Sequence, residues 1–307
     1  MVHAPMLAAG PHTRLAGVWA RRPDAAAELA ARHDTTAFES IDALFDACEA
    51  VAYAVPPDVQ ADLAVRAAGA GKHLLLEKPI AGDVPGAERL VDAIDEAGVG
   101  SMIVLSWRYA ASVRSFLNEA AAFNALGGRG MFVSGALLGG MFATPWRLER
   151  GPLLDLGPHV VDLLDAALGP VVGVHASGDL LGWVDLQLAH EDGAVSAASL
   201  CATSALQPHR AGVELYGTTG VLEIDCASAV GADAFATLAE ELATMVRTGG
   251  GHPLDARRGL HLQRILADAE LQLSKGEAAP PFDHPPGLPR RRASPSASEL
   301  RDRASPA

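Results

Sequence analysis

The fold is decided by residues 50–79, which read AVAYAVPPDVQADLAVRAAGAGKHLLLEKP. A continuous apolar run over 50–55 ends at Pro56-Pro57, which is typical of a buried parallel strand. Residues 58–70 follow with apolar side chains at helical spacing, and residues 73–76 predict the next strand. This order of strand, helix and strand indicates a right-handed βαβ unit in a parallel sheet.

The same alternation continues on both sides of this unit. Further apolar runs predict strands at 15–20 and 101–105, and apolar side chains at helical spacing predict helices at 24–33, 41–48 and 83–97. Strands that alternate with helices form doubly wound parallel sheets. The sequence therefore predicts an α/β, Rossmann-like domain over residues 1–105.

After residue 105 the pattern becomes typical of antiparallel strands. Apolar and polar residues alternate over 184–188, and Asp192-Gly193 is a hairpin turn signal. A second hairpin is centred on 217–220. These signals predict a C-terminal α+β domain with an open antiparallel sheet over 106–284. Residues 285–307 are rich in Pro, Ser and Arg and predict a disordered tail.

Composition excludes several classes of function. The 307 residues are 49% hydrophobic and carry a net charge of −13, so we expect two well-packed domains whose acidic surface repels nucleic acid. No apolar run is long enough for a membrane span. Three cysteines without metal-type spacing predict reduced thiols in a cytoplasmic protein, and no metal site.

Lys78 is the first candidate for chemistry. It directly follows a predicted strand, and an open α/β sheet binds its ligands at the carboxyl ends of its strands. The chain has 24 basic residues, of which only Lys72, Lys78 and Lys275 are lysines, so a lysine at this position is suggestive. The alternative is a solvated loop charge.

Asp155 and His159 form the second candidate group, in the segment LLDLGPHVVD at 153–162. Pro158 suits the first position of a helix. His159 would then lie in the first turn, where the helix dipole favours the neutral imidazole that a general base requires. Asp155 would orient His159 or bind a substrate hydroxyl. The alternatives are a core histidine beside a helix-start carboxylate, and an Asp/His metal pair for which no further ligand has a supporting spacing.

Several segments together resemble the glucose–fructose oxidoreductase / inositol dehydrogenase family. The resemblance runs from about residue 3 to about residue 277, with the segments in the family's order. The segments that carry it are 54–57, 77–79, 145–147, 154–162, 217–225 and 252–259.

This resemblance implies a Rossmann domain and a second domain whose open sheet builds a homo-oligomer. It implies hydride transfer between a nicotinamide and a secondary alcohol or ketone of a sugar, inositol or related polyol. By this likeness Lys78 hydrogen-bonds the reacting oxygen, His159 transfers its proton and Asp155 supports both. The Lys78–Pro79 bond resembles one that is often cis in the family.

The resemblance also implies two sets of binding residues. The cofactor set contains Val55, Pro56, Glu77, Lys78 and Pro79. The substrate set contains Trp107, Arg108, Trp146 and Arg147, for which core aromatics and surface charges are the alternative interpretation.

The N-terminus departs from the family pattern. A dinucleotide-binding domain opens with a strand and Gly-x-Gly-x-x-Gly, and the sequence contains no such segment. Residues 3–9 resemble the back half of the helix that follows this loop, and Gly10-Pro11 ends it. We therefore expect a start codon assigned too far downstream, with a genuine remnant as the alternative.

In such a domain the residue at the end of the second strand indicates the preference for NAD or NADP. A carboxylate at this position binds the ribose of NAD. Arg21 and Arg22 occupy this place, with no carboxylate before Asp24. Arginine suits a 2′-phosphate, so NADP is favoured over NAD unless both arginines simply face solvent.

Two other functions stay open at this point. One is a non-catalytic dinucleotide-binding regulator, which the absent glycine loop favours and the presence of Lys78, Asp155 and His159 opposes. The other is a lyase or hydrolase that oxidises its substrate transiently with bound NAD.

Overall fold

The computed structural model describes residues 3–275, which form two compact units. Among the described residues, the first unit comprises 3–110 and 231–263, and the second comprises 111–230 and 264–275. The predicted tail at 285–307 lies outside the described residues.

The domain boundaries differ from the prediction in one respect. Residues 231–263 were assigned to the second domain by the sequence pattern, and the structure places them in the first unit. The physical reason lies at the edge of the parallel sheet, where the Ile103 N–H donates to the Leu254 carbonyl at 2.8 Å. Nearby, the Ala256 N–H donates to Ser101 Oγ at 3.0 Å. The returning chain thus satisfies backbone and side-chain polar groups of β5, the edge strand of this sheet.

The helices and strands of the described residues are as follows. The helices are α1 (His3–Ala9), α2 (Pro23–Arg32), α3 (Ile41–Asp46), α4 (Pro57–Gly69), α5 (Val84–Ala97), α6 (Ala111–Ala120), α7 (Pro145–Leu168), α8 (Ala232–Thr248) and α9 (Ala256–Ser274). The strands are β1 (Gly17–Val18), β2 (Thr36–Ala37), β3 (Ala50–Ala52), β4 (His73–Leu76), β5 (Ser101–Ile103), β6 (Ala125–Val133), β7 (Val171–Gly178), β8 (Trp183–His190), β9 (Val195–Cys201), β10 (Arg210–Gly217) and β11 (Gly220–Asp225).

The parallel strands of the first unit confirm the predicted α/β class. In the described chain β1 pairs with β2, and β3, β4 and β5 form a separate parallel sheet in that order. Leu74, Leu75 and Leu76 on β4 are fully buried. A strand with both faces covered needs apolar side chains in succession, which is why this segment shows a continuous run instead of alternation.

The second unit contains a six-stranded sheet in the order β11-β10-β6-β9-β8-β7. Both predicted hairpins are present, as β8 with β9 and β10 with β11. The sheet is mixed, however, because β6 pairs with β9 in parallel while its other pairs are antiparallel. Along β8, buried Val184, Leu186 and Leu188 alternate with exposed Asp185 and Gln187, so one face of the sheet is covered and the other is open.

Helix α7 packs on the covered face, and a glycine of β6 lets it come close. A Cβ on Gly130 would lie 2.5 Å from Val160 Cγ1, so any other residue would push the helix away. Every residue from Gly151 to Asp165 is buried. Helix α7 is therefore the centre of the core of this unit.

Three further features bear on the class of protein. Within residues 3–275, no helix is long and apolar enough to cross a membrane, and no group of three or more metal-ligating side chains is set to hold an ion. Cys48, Cys201 and Cys226 are all free. Burial raises the pKa of Cys226 to about 12, so it is a neutral thiol at neutral pH.

Candidate active site

The carboxyl ends of β3, β4 and β5 lie along one edge of the parallel sheet. Ala52 pairs with Leu75, and Leu76 pairs with Ile103, so the segments that follow these strands emerge side by side. After β3 come half-buried Val55 and exposed Pro56, which precedes the first residue of α4. This is the edge at which open α/β sheets bind nucleotides.

The Glu77-Lys78-Pro79 turn follows β4 at this edge. Its Lys78–Pro79 bond is cis, as the resemblance implied. Glu77 and Lys78 are partly exposed, whereas Pro79 is buried. The Glu77 carboxylate lies 2.8 Å from His3 Nε2 on α1. Lys78 is thus presented at the sheet edge with its flanking residues fixed.

A buried glutamine that the sequence analysis missed holds this turn. Gln60, on α4, is 0% exposed. Its Oε1 accepts from the Glu77 N–H at 2.8 Å, and its Nε2 donates to the Glu77 carbonyl at 2.8 Å. A polar residue on the apolar face of a predicted helix is the signal that could have found it, since buried amides are hydrogen-bonded.

Trp107 and Arg108 lie in a short 3-10 helix, Ser106–Tyr109, that follows β5. Trp107 is only 5% exposed, so it is a core side chain of the first unit. Arg108 is half-buried. The Tyr109 hydroxyl donates to the Ile103 carbonyl at 2.8 Å and ties this helix to the end of the strand.

Asp155 and His159 lie on α7 in the second unit, four residues apart and therefore on one helix face. The prediction that Pro158 opens the helix is wrong. The break is at Gly151, with φ 68° and ψ −162°, and the helix resumes at Pro152. A Cβ on Gly151 would lie 1.9 Å from the Leu180 carbonyl oxygen, so this conformation requires glycine.

This correction changes the electrostatic argument. His159 lies about two turns inside the resumed helix, beyond the reach of the dipole at its start. Asp155 is the fourth residue after Gly151, near the first turn, where the dipole favours a carboxylate. The helix therefore stabilises the charge of Asp155 and not the neutral form of His159.

Arg147 joins the predicted substrate residues to the predicted catalytic residues. Its Nε donates to Asp155 Oδ1 at 3.0 Å, and the two side chains are 21% and 7% exposed. Its guanidinium carbon lies 4.6 Å from the centre of the Trp146 ring and 6.0 Å from that of Phe142. Two flanking aromatic rings and one carboxylate thus fix the guanidinium.

The His159 ring has an aromatic neighbour from the sheet. The centre of the Phe132 ring, on β6, lies 6.3 Å from the centre of the His159 ring. The same Phe132 ring centre lies 5.7 Å from that of His209. His159 itself is 9% exposed. Neither Phe132 nor Phe142 was predicted as a site residue. The contact of Phe132 with His159 joins residues far apart in the sequence, and that of Phe142 with Arg147 joins a loop to a helix.

The residues at the strand ends can be tested against a nicotinamide dinucleotide. Arg21 and Arg22 are exposed and follow β1, and Arg22 immediately precedes α2, so both can meet a phosphate from solvent. Pro56, Glu77, Lys78 and Pro79 stand at the carboxyl edge of the β3–β5 sheet. The set thus offers two guanidinium groups that could bind a phosphate, and the Lys78 amine and Glu77 carboxylate at the strand ends. The sequence contains no Gly-x-Gly-x-x-Gly segment to supply amides for its pyrophosphate.

Comparison with known proteins identifies relatives of the chain. Residues 1–104 match the GFO_IDH_MocA oxidoreductase family, which has an NAD-binding Rossmann fold. Over 244 residues the chain is 30% identical to dTDP-3,4-didehydro-2,6-dideoxy-alpha-D-glucose 3-reductase of Streptomyces violaceoruber, covering 72% of this chain and 68% of the relative.

Two other relatives align over shorter lengths. Levoglucosan dehydrogenase of Pseudarthrobacter phenanthrenivorans is 27% identical over 40% of this chain and 34% of its own length. Glucose-6-phosphate 3-dehydrogenase of Bacillus subtilis is 28% identical over 53% of this chain and 49% of its own length. The chain thus spans about a third of the length of the first relative and about half of the length of the second.

Solved structures share the fold. The structure of GenD2 from gentamicin A biosynthesis in complex with NAD superposes with a TM-score of 0.81, covering 90% of this chain and 91% of GenD2 at 21% identity.

Proposed function

The chain belongs to the GFO_IDH_MocA family of NAD(P)-dependent oxidoreductases, and from this premise we propose that it is a sugar dehydrogenase or reductase. The hydride moves between a nicotinamide and a secondary alcohol or ketone of a sugar, inositol or related polyol. The observation that carries this proposal is the Asp155–His159 face of α7, where an arginine holds the carboxylate one helical turn from the imidazole.

The roles of the residues follow from their chemistry. His159 takes a proton from the substrate hydroxyl in oxidation and returns it in reduction, at an imidazole nitrogen. Lys78 donates a hydrogen bond to the reacting oxygen, which strengthens as that oxygen gains negative charge. Asp155, held by Arg147, accepts a hydrogen bond from a substrate hydroxyl. A bound nicotinamide supplies the hydride acceptor or donor.

The cofactor contacts divide between two places. Val55, Pro56, Glu77, Lys78 and Pro79 would hold the nicotinamide end of the dinucleotide. Arg21 and Arg22 would hold its adenosine end, and their exposure supports a preference for the 2′-phosphate of NADP. Trp107, Arg108, Trp146 and Arg147 would line the approach of the substrate.

The names of two relatives indicate which carbon of the sugar is oxidised or reduced. The Streptomyces reductase and the Bacillus dehydrogenase are both named for position 3 of a hexose. We therefore assign the oxidation to carbon 3 of a pyranose. The carboxylate of Asp155, the guanidinium of Arg147 and the Trp146 ring that it stacks on lie together, and such a combination suits a sugar ring with several hydroxyls.

A deuterium experiment tests this function. Hexoses and their phosphates are offered with NAD⁺ and with NADP⁺, and reduced nicotinamide is followed by absorbance. For the best substrate, the 3-deuterated sugar should slow single-turnover oxidation and pass its label to the nicotinamide, while the 4-deuterated sugar should do neither. Label transfer from carbon 4 would contradict the assignment. Conversion without net reduced cofactor would favour the lyase or hydrolase, and binding without conversion the regulator.

The open face of the six-stranded sheet supports a homo-oligomer. Val172, Val195, Tyr216 and Val221 stay 40–67% exposed on β7, β9, β10 and β11. We expect Val221→Glu to lower the mass measured by light scattering to that of the monomer. Val59→Glu, at a 41% exposed valine of α4, is the matched control. An unchanged mass for Val221→Glu would refute an interface at this strand.

A further inference from the structure

Residues 77–81, which contain Lys78, have their backbone held by two buried glutamine side chains. At the first end, Gln60 Oε1 accepts from the Glu77 N–H at 2.8 Å. Gln60 Nε2 lies 2.8 Å from the Glu77 carbonyl, 3.4 Å from that of Pro79 and 3.1 Å from that of Ile80. The side chain of Gln60 therefore contacts the backbone on both sides of Lys78.

A second glutamine holds the other end of the segment. Gln263 is 5% exposed, its Oε1 accepts from the Ala81 N–H at 3.2 Å, and its Nε2 donates to the Ala81 carbonyl at 2.8 Å. The two glutamines come from α4 and α9, so two helices fix a segment that has left the strand ladder.

The choice of glutamine has a physical reason. Residues 77–81 lie beyond the end of β4 and its strand ladder, and a buried backbone group without a partner is costly. A primary amide offers one acceptor and two donors, so one side chain can replace both kinds of strand partner. Leucine or methionine would fill the same space and leave these groups unsatisfied.

We propose that Gln60 is a positioning residue that sets the direction in which Lys78 leaves the sheet edge. The inference rests on the proposed role of Lys78 in binding the reacting oxygen. Gln263 fixes the distal end of the same segment and contributes less, because Ala81 lies three residues beyond Lys78. A misplacement of about 1 Å at a reacting centre can cost about 100-fold in rate, so the direction of Lys78 matters for turnover.

The scarcity of lysine allows a direct test on the full chain without substrate. Reductive methylation with ¹³C-formaldehyde labels only Lys72, Lys78, Lys275 and the terminal amine. The Lys78 signal is assigned by its loss in Lys78→Arg. Gln60→Met removes all the hydrogen bonds of this side chain, whereas Gln60→Glu keeps its size and its acceptor and removes its donors.

The matched control is Gln272→Met in the second unit. Gln272 also bridges backbone groups, accepting from the Ala176 N–H and donating to the Val174 carbonyl, both at 2.9 Å. A general loss of stability should affect this variant as much as the Gln60 variants, as measured by thermal unfolding. Only the Gln60 variants should move the Lys78 signal.

The expected result is a displaced or broadened Lys78 signal in both Gln60 variants, with unchanged signals for Lys72 and Lys275. An unmoved Lys78 signal in Gln60→Glu would overturn the inference, and Gln60→Glu serves if Gln60→Met does not fold. With levoglucosan or glucose 6-phosphate as the sugar, kcat should fall about 100-fold in Gln60→Met with a smaller change in KM. Normal turnover in Lys78→Arg would instead refute the proposed role of Lys78 and leave the positioning intact.

Discussion

Replacement of Arg147 by methionine should destabilise the second unit by removing the cation beside a buried carboxylate. Arg147 Nε lies 3.0 Å from Asp155 Oδ1, and Asp155 is 7% exposed. At an effective dielectric constant of about 20, the Coulomb attraction at this distance is about 5.5 kcal/mol. Removal of one partner of a buried pair costs about 3–5 kcal/mol. Because Arg147 is 21% exposed, we expect Arg147→Met to lower the free energy of unfolding by about 3 kcal/mol, the lower end of this range.

Urea unfolding at neutral pH measures this loss. Arg129→Met is the control, because Arg129 and Glu214 are 3.6 Å apart and 60% and 40% exposed, and an exposed pair contributes less than about 1 kcal/mol. Asp155→Asn in the Arg147→Met background should restore most of the lost stability, since an amide carries no charge to compensate. A loss below about 1 kcal/mol, or no recovery in the double variant, would refute the reasoning.

Three further predictions concern chemistry, cofactor and pH. His159→Ala should lower turnover by about 10²–10⁴-fold with little change in cofactor affinity, and near-normal turnover would remove it from the mechanism. Changing Arg21 and Arg22 together to Ala should weaken binding of NADP but not of NAD in calorimetry, and equal losses would contradict the assignment. Burial lowers the pKa of His73, and the Gly100 N–H donates to its Nδ1 at 2.8 Å, a bond that the protonated ring loses. Since the folded state binds this proton less readily than the unfolded state, the contribution of His73 to stability is present above about pH 6.5 and lost below it. His73→Gln should therefore flatten the pH dependence of the free energy of urea unfolding below about pH 6.5, and an unchanged slope would disprove this.

Local signals predicted β1, β3, β4, β5 and both hairpins, though not the two-residue β2, because the cause of each lies within a few residues. The run Leu74 to Leu76 is apolar because both faces of β4 are covered. Strand β6 was not predicted, because part of its cause lies in a helix distant in the sequence. Its glycines lower strand propensity, and Gly130 is needed only because α7 packs against it.

The start of helix α7 could not be predicted from local sequence rules alone. Gly151-Pro152 and Gly157-Pro158 both match the rule that proline favours the first helical position. The choice between them depends on the carbonyl of Leu180, which lies against Gly151 and is distant in the sequence. The ion pair of Arg147 with Asp155 depends on the same break, since residues eight apart in a continuous helix are separated by about 12 Å along its axis.

The buried acidic residues of α7 have different roles, and their partners separate them. Asp165 Oδ1 accepts the N–H of Val171 at 2.7 Å, the first residue of β7, so this carboxylate joins the end of the helix to the sheet. Asp155 instead meets a guanidinium that stacks on Trp146 and lies near the 53% exposed Phe142. Its charge is thus connected to side chains that solvent reaches, whereas Asp165 is 4% exposed and bonds the backbone at the start of β7. A substrate can reach only polar groups that adjoin solvent, which supports our proposal that the chemistry of this unit involves Asp155 and His159.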